Sequence, residues 1–192
     1  ASDPGASSCF QCDPGQYMVH PNVVGFSTIK NCTTCPTGWT SAYGKTNCTE
    51  CDQGKFVDDL VCESCGAGTY GTPQLEAKDR TSESAACDAC PQGTYSSAKG
   101  VVDATDCNDC SPGKYSTEKG NTEEGKCNDC EANTFSAESR RNESCYTCEE
   151  GTTSKKGSTV CFACDAGSYL KTTNDTSSKE CVKCRIGTVS TY

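Results

Sequence analysis

The sequence predicts a small disulfide-rich fold: an elongated tandem array of about ten short β-hairpin and turn repeats with little hydrophobic core. Three observations predict it. Twenty cysteines among 192 residues form ten C-x-x-C pairs with none left over. Hydrophobic residues make up only 33% of the chain, too few for an ordinary core, so cross-links must replace it. The phrase x-x-Gly-x-aromatic follows most of the pairs and recurs about every 19 residues.

The cysteine pairs define ten repeats, numbered here 1 to 10 by their first cysteine. They begin at residues 9, 32, 48, 62, 87, 107, 127, 145, 161 and 181. Residues 1–8 (ASDPGASS) are expected to be a linker, and residues 9–192 the repeat array, as a segment of a longer chain. If about five residues per repeat are extended at about 3.3 Å each, the array forms a rod.

Two positions after each pair indicate local structure. The third residue after the second cysteine is glycine nine times and Asn133 once, which predicts a turn with positive φ. The fifth is aromatic in seven repeats, which favours a short strand with the ring over the neighbouring disulfide; in repeat 2 we expect Trp39 to take that place. Residues 71–86 are the one loop where we expect a helical turn.

Three disulfide connectivities compete, because sequence alone does not fix pairing. The second cysteine of each pair can bond the first of the next pair, adjacent pairs can interlock first to first and second to second, or each C-x-x-C can close on itself. The near-identity of the repeats favours the first, which leaves Cys9 and Cys184 to bond repeats beyond this segment. It gives the bonds Cys12–Cys32, Cys35–Cys48, Cys51–Cys62, Cys65–Cys87, Cys90–Cys107, Cys110–Cys127, Cys130–Cys145, Cys148–Cys161 and Cys164–Cys181.

The phrase C-x-x-C-x-x-G-x-Y resembles the cysteine-rich repeats of the ephrin-receptor-like class and of tumour-necrosis-factor receptors. In the receptor domain, the loop after the C-x-x-G-x-Y cysteine closes onto the first cysteine of the next C-x-x-C. The resemblance therefore implies Cys90–Cys107 and Cys110–Cys127, although the extra cysteine of that receptor domain is absent from every loop here. Long uninterrupted arrays of this kind are also similar to protist and algal surface proteins and extracellular filament components.

The cysteine density predicts an extracellular or cell-surface protein, because disulfides persist in oxidising compartments. Four N-glycosylation sequons agree, at Asn31, Asn47, Asn142 and Asn174. The net charge of −9 argues against nucleic acid as a partner, and no run of residues is apolar enough to span a membrane. We therefore expect protein partners, either copies of this chain or other surface proteins, together with N-linked glycans.

Chemical sites are not expected. Zinc could be held by tandem C-x-x-C pairs, but an oxidising compartment favours disulfides. The acidic pairs Asp58-Asp59 and Glu123-Glu124 lack a calcium-loop pattern, and the single histidine, His20, has no catalytic motif around it. The apolar stretch from Val23 to Phe26 is either loop packing or a subunit contact.

The sequence thus predicts a non-enzymatic extracellular structural or interaction protein without a cofactor, a glycosylated and disulfide-laddered rod in a surface coat, filament or appendage. The alternative is the ligand-binding ectodomain of a cysteine-rich cell-surface receptor.

Overall fold

The computed structural model describes residues 10–19, 32–172 and 179–188. The chain folds as two compact units. One comprises the residues up to Asp88 together with Ala98–Asp106, and the other comprises Ala89–Ser97 together with the residues from Cys107 onward. The linker 1–8 lies outside the described residues, so the division into linker and array stays a prediction.

Regular structure in both units consists of two-stranded hairpins, which confirms the predicted fold class. In the first unit they are β1 (Gln16–Met18) with β2 (Cys32–Thr34), β3 (Trp39–Thr40) with β4 (Thr49–Glu50), β5 (Lys55–Asp58) with β6 (Val61–Ser64), and β7 (Thr69–Gly71) with β8 (Cys87–Ala89). In the second they are β9 (Thr94–Tyr95) with β10 (Asn108–Asp109), β11 (Lys114–Tyr115) with β12 (Asn128–Asp129), β13 (Thr134–Phe135) with β14 (Tyr146–Thr147), β15 (Thr152–Thr153) with β16 (Phe162–Ala163), and β17 (Ser168–Thr172) with β18 (Lys179–Lys183).

Helical structure is confined to loops. The expected turn within residues 71–86 is present as a 3-10 turn, Ala77–Asp79, and a short helix α1, Glu83–Ala86, whose N-terminal N–H groups are capped by Ser82. The expectation that this loop would be the one such place is wrong, because 3-10 turns also form at Ala104–Asp106 and Glu124–Lys126. The first of these begins after Asp103, which accepts hydrogen bonds from Thr105 N–H and Oγ1, as a capping carboxylate does.

Nine disulfides connect the hairpins among the described residues. Each joins the second cysteine of one repeat to the first cysteine of the next, the first of the three connectivities considered above, with Cα–Cα distances of 5.5–6.0 Å. Each bond therefore lies across the base of a hairpin and closes its loop covalently. Of the two remaining cysteines, Cys184 has a free thiol and Cys9 lies outside the described residues.

In all ten repeats the same β-turn follows the second cysteine. The carbonyl of the residue after that cysteine accepts a hydrogen bond from the N–H three residues further on, at 3.0–3.2 Å. The third residue of the turn has φ between 67° and 85° in every repeat, including Asn133. The prediction of positive φ at this position is confirmed. This conformation is the one that a type II turn requires of its third residue.

The buried positions differ from those that the sequence suggested. Six second cysteines have no exposed surface, namely Cys12, Cys51, Cys65, Cys90, Cys110 and Cys130. Phe56 is the one buried ring at the fifth position among the described residues. Tyr169 at that position is 46% exposed, and the other five rings there are half-buried. Trp39, one position earlier in repeat 2, is 37% exposed. The core of each repeat is therefore the disulfide with small polar residues around it, rather than a ring and a cross-link.

Removal of one disulfide by the double substitution Cys110→Ser, Cys127→Ser should lower the free energy of unfolding by about 3 kcal/mol, since the closed loop has 17 residues between its ends in sequence. Urea unfolding followed by circular dichroism measures this. The single substitution Cys110→Ser should destabilise at least as much, because it leaves Cys127 as an unpaired thiol. An unchanged urea midpoint in the double variant would contradict the role assigned to the cross-links.

Candidate interaction surface

Consecutive repeats are joined by a backbone hydrogen bond at the second cysteine. In five repeats a loop residue with positive φ donates its N–H to the second-cysteine carbonyl of the preceding repeat, at 2.7–3.0 Å. The pairs are Gly44 to Cys12, Gly100 to Cys65, Gly120 to Cys90, Arg140 to Cys110, and Gly157 to Cys130. Four of the five donors are glycine, as positive φ favours. The C-x-x-C-x-x-G pattern did not reveal this second glycine position.

The sixth residues after the second cysteines form backbone hydrogen bonds with neighbouring repeats, and Ser116 and Ser136 bond to the repeats on both sides. The sixth-position N–H donates to a loop carbonyl of the following repeat at 2.8–3.2 Å in the pairs Met18–Lys45, Val57–Arg80, Gly71–Val101, Ser96–Asn121, Ser116–Arg141 and Ser136–Ser158. The sixth-position carbonyl accepts the third-position N–H of the preceding repeat at 2.8–3.0 Å in the pairs Ser41–Gly15, Ser116–Gly93, Ser136–Gly113 and Ser154–Asn133. Neighbouring repeats are therefore held together largely by backbone hydrogen bonds.

Serine occupies the sixth position five times among the described residues and is almost completely buried each time: Ser41, Ser96, Ser116, Ser136 and Ser154. The position lies next to the adjoining repeats, and a small polar side chain fits there with little exposure. The hydroxyl can donate to a nearby carbonyl, as Ser41 Oγ does to Gln16 O at 2.6 Å and Ser154 Oγ to Thr134 O at 2.7 Å. The recurrence of serine is visible in the sequence, but its burial is not, because the larger rings next to it are the more obvious candidates for a core.

Glycine is favoured at the third position for a second reason besides the positive φ of the turn. A Cβ added to Gly93 would overlap the carbonyl of Arg140, and one added to Gly113 would overlap the carbonyl of Gly157. At Gly54 an added Cβ would lie 2.8 Å from Gly100 O. Each of these carbonyls belongs to a loop two repeats further along the chain. Glycine is therefore required both by the turn and by the loop that packs on it.

Asn133 shows how the exception is accommodated. It has φ of 67°, and its carboxamide lies 2.7 Å from Thr153 Oγ1. With its amide nitrogen facing the acceptors, it donates to Thr153 Oγ1 and to Lys179 O, and its oxygen accepts from Lys179 N–H at 3.1 Å. Lys179 is the first residue of β18 and lies two repeats further along, so the Asn133 side chain replaces the close backbone approach by hydrogen bonds.

A buried position follows the positive-φ loop residue, and its chemistry varies between repeats. It holds Val101, Asn121 and Arg141, which are 6–8% exposed. The guanidinium of Arg141 donates twice to Ser144 O, at 2.8 and 2.5 Å, and lies 3.7 Å from the centroid of the Tyr146 ring. The polar side chains Asn121 and Arg141 thus form hydrogen bonds with nearby groups. The position can therefore hold residues of different chemistry.

The glycosylation sequons fall on exposed loops where they are described. Asn47 and Asn142 are both exposed, and the Asn142 sequon immediately follows the buried Arg141, whose guanidinium bonds the carbonyl of the sequon residue Ser144. Asn31 and Asn174 lie outside the described residues. Modification at any of the four stays a prediction.

Charged groups lie at the surface. Lys114 and Asp129 face each other across the β11–β12 hairpin, with Nζ 2.7 Å from Oδ1. The hydrogen bond from Lys114, together with its charge, holds the pKa of Asp129 below its ordinary value. Two hydrogen bonds from Thr105 lower the pKa of Asp103 in the same way. These are single cross-strand or capping contacts, not a convergent catalytic group.

Within residues 10–19, 32–172 and 179–188, no cluster of three His, Cys, Asp or Glu side chains could hold a metal ion. The cysteines in the nine disulfides have no thiolate to offer zinc. Asp58, Asp59 and Glu123 are exposed, while His20 and the Val23–Phe26 stretch lie outside the described residues. None of the described helices is long and apolar enough to cross a membrane. The contact that recurs among the described repeats is the one between the turn after a second cysteine and the loop two repeats further along the chain.

Matched alanine substitutions separate the two reasons for glycine. Gly113 and Gly187 have φ of 81° and 85°, but an added Cβ meets Gly157 O only at Gly113, whereas none of the described atoms lies within 4 Å of it at Gly187. Gly187→Ala should cost about 1 kcal/mol of unfolding free energy for its φ alone. Gly113→Ala should cost roughly 1–3 kcal/mol more because of the overlap. Equal urea midpoints for the two variants would show that the loop approach is unimportant.

Removal of the Lys114 ammonium by Lys114→Met should raise the pKa of Asp129 toward its ordinary value, as measured by carboxyl NMR titration. Because the folded pKa is lowered, the contribution of Asp129 to stability is present at neutral pH and is lost as the pH falls through that value. The difference in urea midpoint between wild type and variant should therefore shrink under acid conditions. Lys119→Met, which removes a lysine of the same repeat, should leave the Asp129 titration unchanged.

A scan against models of protein families finds no match for the chain, and a search of curated proteins finds no relative. The disulfide ladder and the repeated loop-on-turn contacts are those of a cysteine-rich repeat protein.

Proposed function

We propose that this protein is a non-catalytic, glycosylated structural or interaction protein of a cell-surface coat, filament or appendage. The oxidised ladder of nine disulfides fits an extracellular protein, since such bonds persist outside the cytosol. The observation that carries the finer proposal is the backbone-mediated contact repeated from one repeat to the next. A surface built from one repeated contact suits assembly, because each added repeat presents the same groups again.

The chemistry of the surface supports the same role. The clefts beside Gly151 and Trp39 are bordered by mixed polar and charged residues. In the Trp39 cleft, the hydrogen bond between Lys78 and Glu76 lowers the pKa of Glu76 and raises that of Lys78, but this is an exposed ion pair at the surface. We also propose that the repeats belong to the ephrin-receptor-like and tumour-necrosis-factor-receptor-like class. The support is their second-to-first disulfide connectivity, which is what the resemblance implied for Cys90–Cys107 and Cys110–Cys127.

Immunogold electron microscopy of intact source cells, with antibodies against the purified chain, tests the proposal. We expect label along a coat or filament, and release of that material by a mild thiol reductant but not by a chelator. The released chain should lose mass on treatment with an N-glycosidase. Label confined to the cell interior would overturn the proposal. Sparse label at the plasma membrane with saturable binding of a soluble protein would favour the receptor alternative instead.

A further inference from the structure

Trp39 is the only tryptophan of the sequence, and it stands where the other repeats have a polar residue. The fourth residue after the second cysteine is threonine, lysine, serine or glutamine in the nine other repeats. Because side chains alternate between the two faces of a strand, the Trp39 ring lies on the opposite face of its hairpin from the rings that other repeats carry at the fifth position. The fold therefore does not require an aromatic ring here, and Trp39 remains 37% exposed.

A cleft of about 360 Å³ lies beside the Trp39 ring, within the first unit. One wall is the β3–β4 hairpin, in which Glu50 is directly opposite Trp39, so that both side chains lie on the same face. The other wall is the segment 76–80 of repeat 4, which packs on the turn of repeat 2: a Cβ added to Gly38 would overlap the carbonyl of Ala77. The residues that border the cleft are Trp39, Glu50, Glu76, Ala77, Lys78 and Arg80.

The position of the second wall is fixed by Arg80. Its guanidinium donates to Cys51 O at 2.5 Å and to Leu75 O at 2.7 Å. Its carbonyl accepts a hydrogen bond from Val57 N–H at 3.0 Å. The segment is thus tied to the residue after β4 and to β5, so a ligand would not have to order the loop when it binds.

The charges around the ring are balanced. Glu50 and Glu76 supply two carboxylates, and Lys78 and Arg80 supply two cations. Glu76 and Lys78 pair with each other at 2.6 Å. Among the described residues, neither the Trp39 indole N–H nor the Glu50 carboxylate has a hydrogen-bond or ion-pair partner. The cleft therefore combines an exposed aromatic face with available donors and acceptors and has no net charge.

We infer that this cleft binds a pyranose ring of a neutral saccharide. One face of such a ring consists of C–H groups, which stack on the electron-rich face of an indole, while the hydroxyl groups around it both donate and accept hydrogen bonds. An anion would meet two carboxylates and a cation would meet Lys78 and Arg80, so the balance of charge favours an uncharged ligand. This binding activity lies beyond the proposed coat or filament role and does not depend on it.

Fluorescence tests the cleft directly, because Trp39 is the only tryptophan. The purified, folded chain is titrated separately with the β-linked trisaccharides of glucose, N-acetylglucosamine, mannose and galactose. At least one of them should change the tryptophan emission in a saturable way, with half-saturation at about 1 mM, as expected of a small ligand that stacks on a single ring.

Two threonine substitutions separate the ring of the cleft from another exposed ring of the same repeat. Trp39→Thr introduces the residue that is commonest at this position in the other repeats, so the chain should fold with an unchanged circular dichroism spectrum. It should weaken binding of the active trisaccharide by about tenfold or more in saturation-transfer NMR, because the stacked surface is lost. Tyr43→Thr removes a ring that is 60% exposed but does not border the cleft, and it should leave binding unchanged.

Unchanged emission with all four trisaccharides would overturn the inference. So would undiminished trisaccharide binding by a folded Trp39→Thr variant, or emission that responds to a lysine tetrapeptide and to none of the saccharides, since the latter would assign the cleft to a basic partner. Each of these outcomes would leave the proposed coat or filament role standing if the immunogold label is at the surface. Label inside the cell would instead remove that role, whatever the titrations show.

Discussion

The disulfide between the second cysteine of one repeat and the first cysteine of the next is the constraint on which the rest of the structure depends. It closes a hairpin of only two to five paired residues per strand, too short to be stable alone. Because six of the second cysteines have no exposed surface, the cross-link is in those repeats both the covalent tether and the centre of the core. The second-cysteine carbonyl then receives the next loop, as Cys90 O receives Gly120 N–H, so the covalent and hydrogen-bonded ladders meet at one residue.

Glycine at the third position links this local geometry to the stacking of repeats. A positive φ alone would tolerate asparagine or, at some cost, other residues. The additional approach of a carbonyl from two repeats further along leaves room for no side chain, unless that side chain makes the contact itself, as Asn133 does with Lys179 and Thr153. The repeats of Gly54, Gly93 and Gly113 therefore depend on the next repeat for their disulfide and on the one after that for the burial of their turn.

The sequence was sufficient for the features that arise within one repeat. Cysteine spacing predicted hairpins closed by cross-links, and nine glycines with one asparagine predicted the positive φ. It was insufficient where residues far apart in the chain meet. Loop residues such as Gly44 and Gly120 stand nine or ten residues after the second cysteine of their repeat, but the carbonyl that each one bonds belongs to the preceding repeat, so their common role is visible only once the loops are folded onto it. The rings at the fifth position are the obvious core candidates because of their size, yet the side chains that are buried between repeats are the serines at the sixth position.

Because the contacts between repeats are made mainly by backbone groups, the outward side chains are left to vary. Val101, Asn121 and Arg141 occupy one buried position with three different chemistries, and the loops around them differ in length and charge. A protein whose cohesion is carried by glycine, cysteine and serine at fixed positions can change most of its surface without losing its fold. That property supports the proposed role in a surface layer, in which the scaffold must persist in an oxidising environment while the exposed residues are free to vary. It is also why a pattern specific for architecture specifies so little about a ligand.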